Sequence, residues 1–313
     1  MSAKHNPKSR LSSIAKSCYQ LPPFLVPGDI VTAIAPSGAL KEKIALEEGL
    51  NVWRSRGYRI KLGLNYDHNF GYLAGEDQSR REALKEAWLD PESKAIIAIR
   101  GGYGGARLLE NWHWDLESIQ APKWIIGFSD VTSLLWSLGT IKIASLHAPV
   151  LTTLANEPVW SQERMFNYLE TGKLDPLQGQ TWQGGIASGT LLPANLTVAT
   201  HLLKTSLQPD FTDVILALED VTEYPYRIDR MLTQWRLMGA FDEIKGIALG
   251  RFSRCEPYPG SKSWTVEEVL RDRLLDLNIP LVADLPFGHD GVNAVLPVGH
   301  QVILDGDQGK LLF

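Results

Sequence analysis

Four stretches of this sequence hold residues that can do chemistry. The first is Gly127-Phe128-Ser129-Asp130. It follows a short apolar run, Trp124 to Ile126, and precedes Val131, Leu134, Leu135 and Leu138, which recur at helical spacing. A serine at such a strand-to-helix corner lifts its hydroxyl above a sheet. The helix start behind it supplies free N–H groups and partial positive charge, both suited to an oxyanion. Ser and Asp are also favoured helix caps. Val131 stands where a nucleophile elbow usually carries its second glycine. This segment alone therefore leaves nucleophile and N-cap both open. The second stretch is Arg100-Gly101-Gly102-Tyr103-Gly104-Gly105, after the apolar run Ala95 to Ile99. Glycines there let backbone N–H groups come close to a ligand. The spacing matches neither GxGxxG nor GK[ST], so support for a nucleotide site is weak. An oxyanion donor, a grip on a substrate carboxylate and a plain tight turn all fit.

The other two stretches supply a base and an acid. A serine hydroxyl is a poor nucleophile near neutral pH without a base. Among seven histidines, His289 lies in the turn-like LPFGHDGVNAVLPVG and His147 follows an apolar run in SLHAP. The residue pattern ranks them nearly level. An acid must orient the base and stabilise its charged form. Glu219 ends the apolar run DVILALED, where solvent begins, and Asp220 and Glu223 compete with it. The two cysteines, Cys18 and Cys255, form no metal-ligand pattern and sit in no catalytic-looking turn. A disulfide is not expected, and cytoplasm is the default location.

These groups need a scaffold. PGDIVTAIAPSGAL, YRIKLGLN, KAIIAIRGG, KWIIGFSD and IKIASLHAP read as strands, with helical segments between several of them. Nearly continuous apolar strands alternating with helices predict an α/β domain whose parallel sheet is flanked by helices. Sites in such sheets lie beyond the carboxyl ends of the strands. The turns APSG, RGGYGG and GFSD all fall there. The character changes near residue 170, where Gly, Pro, Gln and Thr accumulate in ETGKLDPLQGQTWQGGIASGTLLPAN. The reading is a polar basic tail over 1–26, an α/β domain over 27–170, a linker over 171–187, and a smaller β-rich domain over 188–313 with more antiparallel pairing. The tail carries Lys4, Lys8, Arg10 and Lys16, so the remainder is more acidic than the net charge of −5. It lacks the apolar core of a secretory signal. No apolar run is long enough to span a membrane, and an acidic chain gives no support to nucleic acid as a partner.

The pieces together resemble the LD-carboxypeptidases, serine peptidases that include muramoyltetrapeptide carboxypeptidase and the microcin C self-immunity peptidases. The resemblance rests on IAPSG, YLAGEDQSRREAL, AIRGGYGGARLL, IIGFSDVTSLL, LEDVTEYPYRIDRML, GIALGRF and FGHDGVNAVLPVG, in the family's order, from Val31 to Gly299. It implies a Ser-Glu-His triad of Ser129, Glu219 and His289, with the backbone N–H groups of Gly102 and Asp130 as oxyanion hole. The implied substrate is a murein tetrapeptide that loses its terminal D-alanine during cell-wall recycling; the alternatives are a microcin-type conjugate, or an inactive peptide- or sugar-binding module. Arg100, Tyr103, Trp182 and Arg227 are candidate substrate contacts. The resemblance also implies a cytoplasmic homodimer that needs neither metal nor organic cofactor. One departure is LLPANL, Leu191 to Leu196, where the family often has Gly-Gly-Asn; it bears on the pocket wall.

Overall fold

The computed structural model describes residues 19–64 and 66–313; Cys18 and the basic stretch before it lie outside the described residues. Two sheets organise the chain. The first has six strands, in the spatial order Leu296–Val298, Ser145–His147, Trp124–Gly127, Ser93–Ala98, Ile30–Ile34 and Arg59–Leu62. The five strands from the N-terminal half run parallel. Their central members are buried along nearly their whole length, because helices cover both faces. The helix Lys43–Ser55 turns Leu46, Leu50 and Trp53 inward at spacings of one turn, and Asp77–Leu89 does the same with Ala83, Leu84, Ala87 and Trp88.

The second sheet has eight strands: Leu177–Gln178, Lys310–Leu312, Gln301–Asp305, Ile186–Asn195, Val214–Val221, Ile244–Ser253, Leu281–Ala283 and Gln180–Gln183. Its margins are antiparallel, including the C-terminal hairpin, as the sequence suggested. Its centre is parallel, from Ile186–Asn195 through Leu281–Ala283. The reason is in the composition: DVILALED and IKGIALGRF are apolar at successive positions, the mark of a strand covered on both faces. The helices Pro225–Leu237 and Val266–Leu274 provide cover, the second opening on a capping box of Thr265 and Glu268.

The two sheets share an interior. One apolar cluster holds Leu134, Leu135 and Trp136 from the first half together with Leu192, Leu216 and Trp235 from the second. The Trp136 indole N–H donates to Pro193 O across that boundary at 3.1 Å. The strand Leu296–Val298 crosses back from the second half to pair antiparallel with Ser145–His147. The fold is thus mixed α/β, with the parallel sheet the sequence predicted and a second sheet beside it. The carboxyl ends of Trp124–Gly127 and Val214–Val221, which precede Ser129 and hold Glu219, are brought to one place by this shared core.

Candidate active site

Ser129 follows Trp124–Gly127 by two residues and opens a short 3-10 turn that leads into the helix Thr132–Thr140. Its φ is +62°, left-handed backbone that a non-glycine residue rarely adopts without compensation. The serine is not spent on capping: neither the turn it opens nor the helix that follows has a side-chain cap hydrogen bond. A Cβ at Gly127 would lie 2.9 Å from Val131 Cγ1, so the glycine before the serine makes room for the valine after it. A Cβ at Gly101 would lie 3.0 Å from both Ser129 Cβ and Oγ. The glycine turn therefore presses its bare backbone against the serine hydroxyl.

That turn is fixed from several sides. Gly105 N–H donates to Asp130 Oδ2 at 2.7 Å, and Gly38 N–H to Gly101 O at 3.1 Å. The three turns APSG, RGGYGG and GFSD accordingly meet. Burial pushes the Asp130 carboxyl above its usual range. Arg80 is buried; its guanidinium donates to Gly104 O at 2.9 Å and also to Pro36 O and Asp77. Asp77 in turn takes both Arg107 Nε and Nη2, at 2.5–3.0 Å. This is the physical content of YLAGEDQSRREAL: it supplies Asp77 and Arg80, which hold the glycine turn.

Glu219 lies in the buried strand Val214–Val221 and is wholly inaccessible. Its Oε2 is 2.6 Å from His289 Nδ1. A carboxylate in that position selects the Nδ1–H tautomer and leaves Nε2 free as a proton acceptor. The His289 side chain keeps 15 % of its surface exposed. The Phe128 ring, next to Ser129 in the chain, packs 4.6 Å from the imidazole. Asp220 turns elsewhere: it accepts from Thr197 N–H and Oγ1–H and from Val221 N–H, and burial, aided by the Glu219 charge, pushes it up to about 6. Glu223 pairs with Arg227 at 3.4 Å.

His147, level with His289 in the sequence reading, is fully buried between Phe128 and Phe287, and neither ring nitrogen has a partner. Burial lowers its pKa to about 4, so it is neutral near pH 7. The loop that carries His289 is strapped from below. Glu157 Oε2 accepts from Asn293 N–H at 2.8 Å and from Ser161 Oγ at 3.0 Å, and Asn293 Oδ1 accepts from Gly288 N–H at 3.2 Å.

Asn195 is the residue that sequence reasoning missed. Its Oδ1 accepts from Val198 N–H and caps the helix Leu196–Leu202. Its Nδ2 donates to Glu219 Oε1 at 3.2 Å and to Asp220 Oδ1 at 3.1 Å, separating two buried carboxylates. Its N–H donates to Thr132 Oγ1 at 3.1 Å, which ties the serine helix to the glutamate strand. The available signal was the LLPANL departure, which keeps the Asn while replacing the glycines. Of the candidate substrate contacts, Arg100 and Tyr103 line one cleft with Gly102. Trp182 instead packs under Arg271, whose guanidinium lies 4.0 Å from the ring centroid. Arg227 lies 5.8 and 5.9 Å from the rings of Tyr224 and Tyr226. Among the described residues no cluster of His, Cys, Asp or Glu can hold a metal ion, and no helix is long and apolar enough to cross a membrane.

Residues 31–148 match the LD-carboxypeptidase N-terminal domain, and residues 188–304 the LD-carboxypeptidase C-terminal domain. A Synechocystis protein, provisionally named a carboxypeptidase, is 58 % identical over 97 % of this chain and all of its own length. The murein tetrapeptide carboxypeptidase of Pseudomonas aeruginosa is 30 % identical over 89 % of this chain and 94 % of its own. The crystal structure of muramoyltetrapeptide carboxypeptidase from Oxalobacter formigenes superposes with a TM-score of 0.80 at 28 % identity, covering 90 % of this chain and 97 % of that one. The fold is that of a two-domain peptidase. The chain belongs to the LD-carboxypeptidase family.

Proposed function

We propose that this protein is a serine carboxypeptidase that releases the terminal D-alanine of murein tetrapeptides. The observation that carries the reading is the 2.6 Å Glu219–His289 pair, whose imidazole packs 4.6 Å from the ring of Phe128, the chain neighbour of a left-handed serine with no capping bond. The names of the similar proteins from P. aeruginosa and O. formigenes supply the substrate. In this reading Ser129 Oγ attacks the carbonyl of the penultimate residue while His289 Nε2 takes its proton. Glu219 stabilises the imidazolium that forms. The N–H groups of Gly102 and Asp130 receive the oxyanion. The C–N bond breaks as His289 returns the proton to the leaving amine. Water, activated by the same imidazole, then hydrolyses the acyl-enzyme. A cytoplasmic homodimer belongs to the same reading, and sedimentation of the purified chain measures its assembly.

The test is mass spectrometry of the purified protein with a murein tetrapeptide, beside Ser129→Ala. One D-alanine released by the wild type and none by the variant is the expected result. Equal release by both removes Ser129 as nucleophile. No release by either removes the murein substrate.

A further inference from the structure

At the active-site edge of the first sheet lies a cleft of about 450 Å³. Lys41, Asn69, Tyr72, Arg100, Gly102 and Tyr103 are among its walls. It borders the glycine turn, and Gly101 is the residue whose α-carbon faces Ser129 Oγ. Two features set its chemistry. Lys41 and Arg100 both line it, and no acidic side chain does among the described residues. Arg100 spends Nη1 on Ala39 O at 2.7 Å, which anchors the guanidinium at the wall and leaves donors for a ligand. Tyr72 and Tyr103 meet edge to face with centroids 5.7 Å apart, yet remain 67 % and 54 % exposed. An exposed aromatic pair beside cations without a counter-charge matches a ligand that carries both an anion and an apolar side chain.

Size adds a third constraint. Clefts of about 300–1,000 Å³ accommodate whole drug-sized ligands. A single methyl side chain leaves most of this one unfilled.

We propose that this cleft is the pocket of the leaving residue. Lys41 and Arg100 take its terminal carboxylate, and the tyrosine pair takes its side chain. Terminal D-residues much bulkier than alanine are then released too. The inference rests on the carboxypeptidase reading above and deepens it.

The test uses the full-length protein and peptides that differ only in their last residue. Terminal D-alanine and D-phenylalanine are compared as free acids, and the D-alanine peptide amide is used as a competitive inhibitor. The wild type is expected to release D-phenylalanine within about tenfold of the D-alanine kcat/KM, since the pocket binds the larger residue at least as well. Lys41→Met and Arg100→Gln are expected to raise KM for the free acids about tenfold and to leave inhibition by the amide unchanged. Tyr72→Ala is expected to weaken D-phenylalanine release more than D-alanine release. Lys41 is exposed, so its variant reports on the pocket even where Arg100→Gln loosens the Ala39 turn. Release of D-alanine but not D-phenylalanine overturns the proposal, as does an equal effect of Lys41→Met on acid and amide. Failure of the wild type to cleave any of the peptides overturns the catalytic reading and the pocket with it. Cleavage of the D-alanine acid with an indifferent Lys41 overturns the pocket alone.

Discussion

His147 and His289 share the Phe128 ring as a neighbour, yet their surroundings give them opposite properties. His289 has a buried carboxylate on Nδ1 and a partly open face. Replacing Glu219 with Gln keeps the shape and removes the charge that stabilises an imidazolium. The expected outcome is a fall in kcat of about 10³–10⁴-fold, with circular dichroism unchanged. An unaltered kcat would remove Glu219 from the mechanism. His147 makes a thermodynamic contribution instead. Its ordinary value of 6.5 is lowered to about 4 in the fold, so between those values the unfolded chain binds the extra proton. Stability supplied by the neutral ring is therefore complete above about 6.5 and is lost as pH falls towards 4. Linkage sets the loss at about 2 kcal/mol by pH 5. Asp220 and Glu157, both raised by burial, act in the opposite sense, so the term is read as a difference. Urea unfolding of wild type and His147→Gln at pH 8 and pH 5 measures it: the variant is expected to lose less stability on acidification.

The strand-to-helix corner was legible because its parts are chain neighbours: an apolar run, a glycine, a serine and a helical pattern. The pairing of Glu219 with His289 came from the family resemblance and not from the residue pattern, since the two lie 70 residues apart and only the folded chain brings them together. A sequence pattern shows that a histidine lies near a turn but not whether it is buried, which is why His147 ranked beside His289. Asn195 escaped for a related reason: its three partners, Val198, Thr132 and the Glu219–Asp220 pair, come from three different elements. Elements also have to hold these groups still. Gly101→Ala brings a methyl to within 3.0 Å of Ser129 Oγ, against backbone fixed by Arg80 and Asp130. It is expected to cost about 1–3 kcal/mol of stability and to lower kcat about 100-fold. The Glu157–Asn293 strap predicts a milder effect. Glu157→Ala orphans the Asn293 N–H and frees the loop around His289, so kcat is expected to fall about 10-fold or more while KM barely moves. Glu157→Gln keeps an acceptor oxygen and is expected to recover much of it. Matching losses in kcat and KM for the two variants would assign Glu157 to folding alone.

The molecule assembles its site from two halves that each keep an apolar cluster of their own and share a third across their boundary. Leu134, Leu135 and Trp136 from the serine helix pack in the same cluster as Leu192, Leu216 and Trp235. The strand Leu296–Val298 leaves the second half to complete the first sheet. Thr132 and Asn195 join the halves by a hydrogen bond beside the Glu219–His289 pair. An alternative arrangement, two autonomous domains meeting across a polar face, would let each half unfold by itself. A shared apolar core couples them, because opening the boundary exposes the buried surface of both. The expected result is a single urea transition in which tryptophan fluorescence, far-ultraviolet circular dichroism and peptidase activity coincide. Trp136→Ala removes a fully buried indole and its bond to Pro193 O at that boundary. It is expected to shift the whole transition by about 3–5 kcal/mol and to keep it single. Two separated transitions in the wild type, or activity lost well before structure, would mean that the halves fold independently and that the site depends on a weaker contact than the core described here.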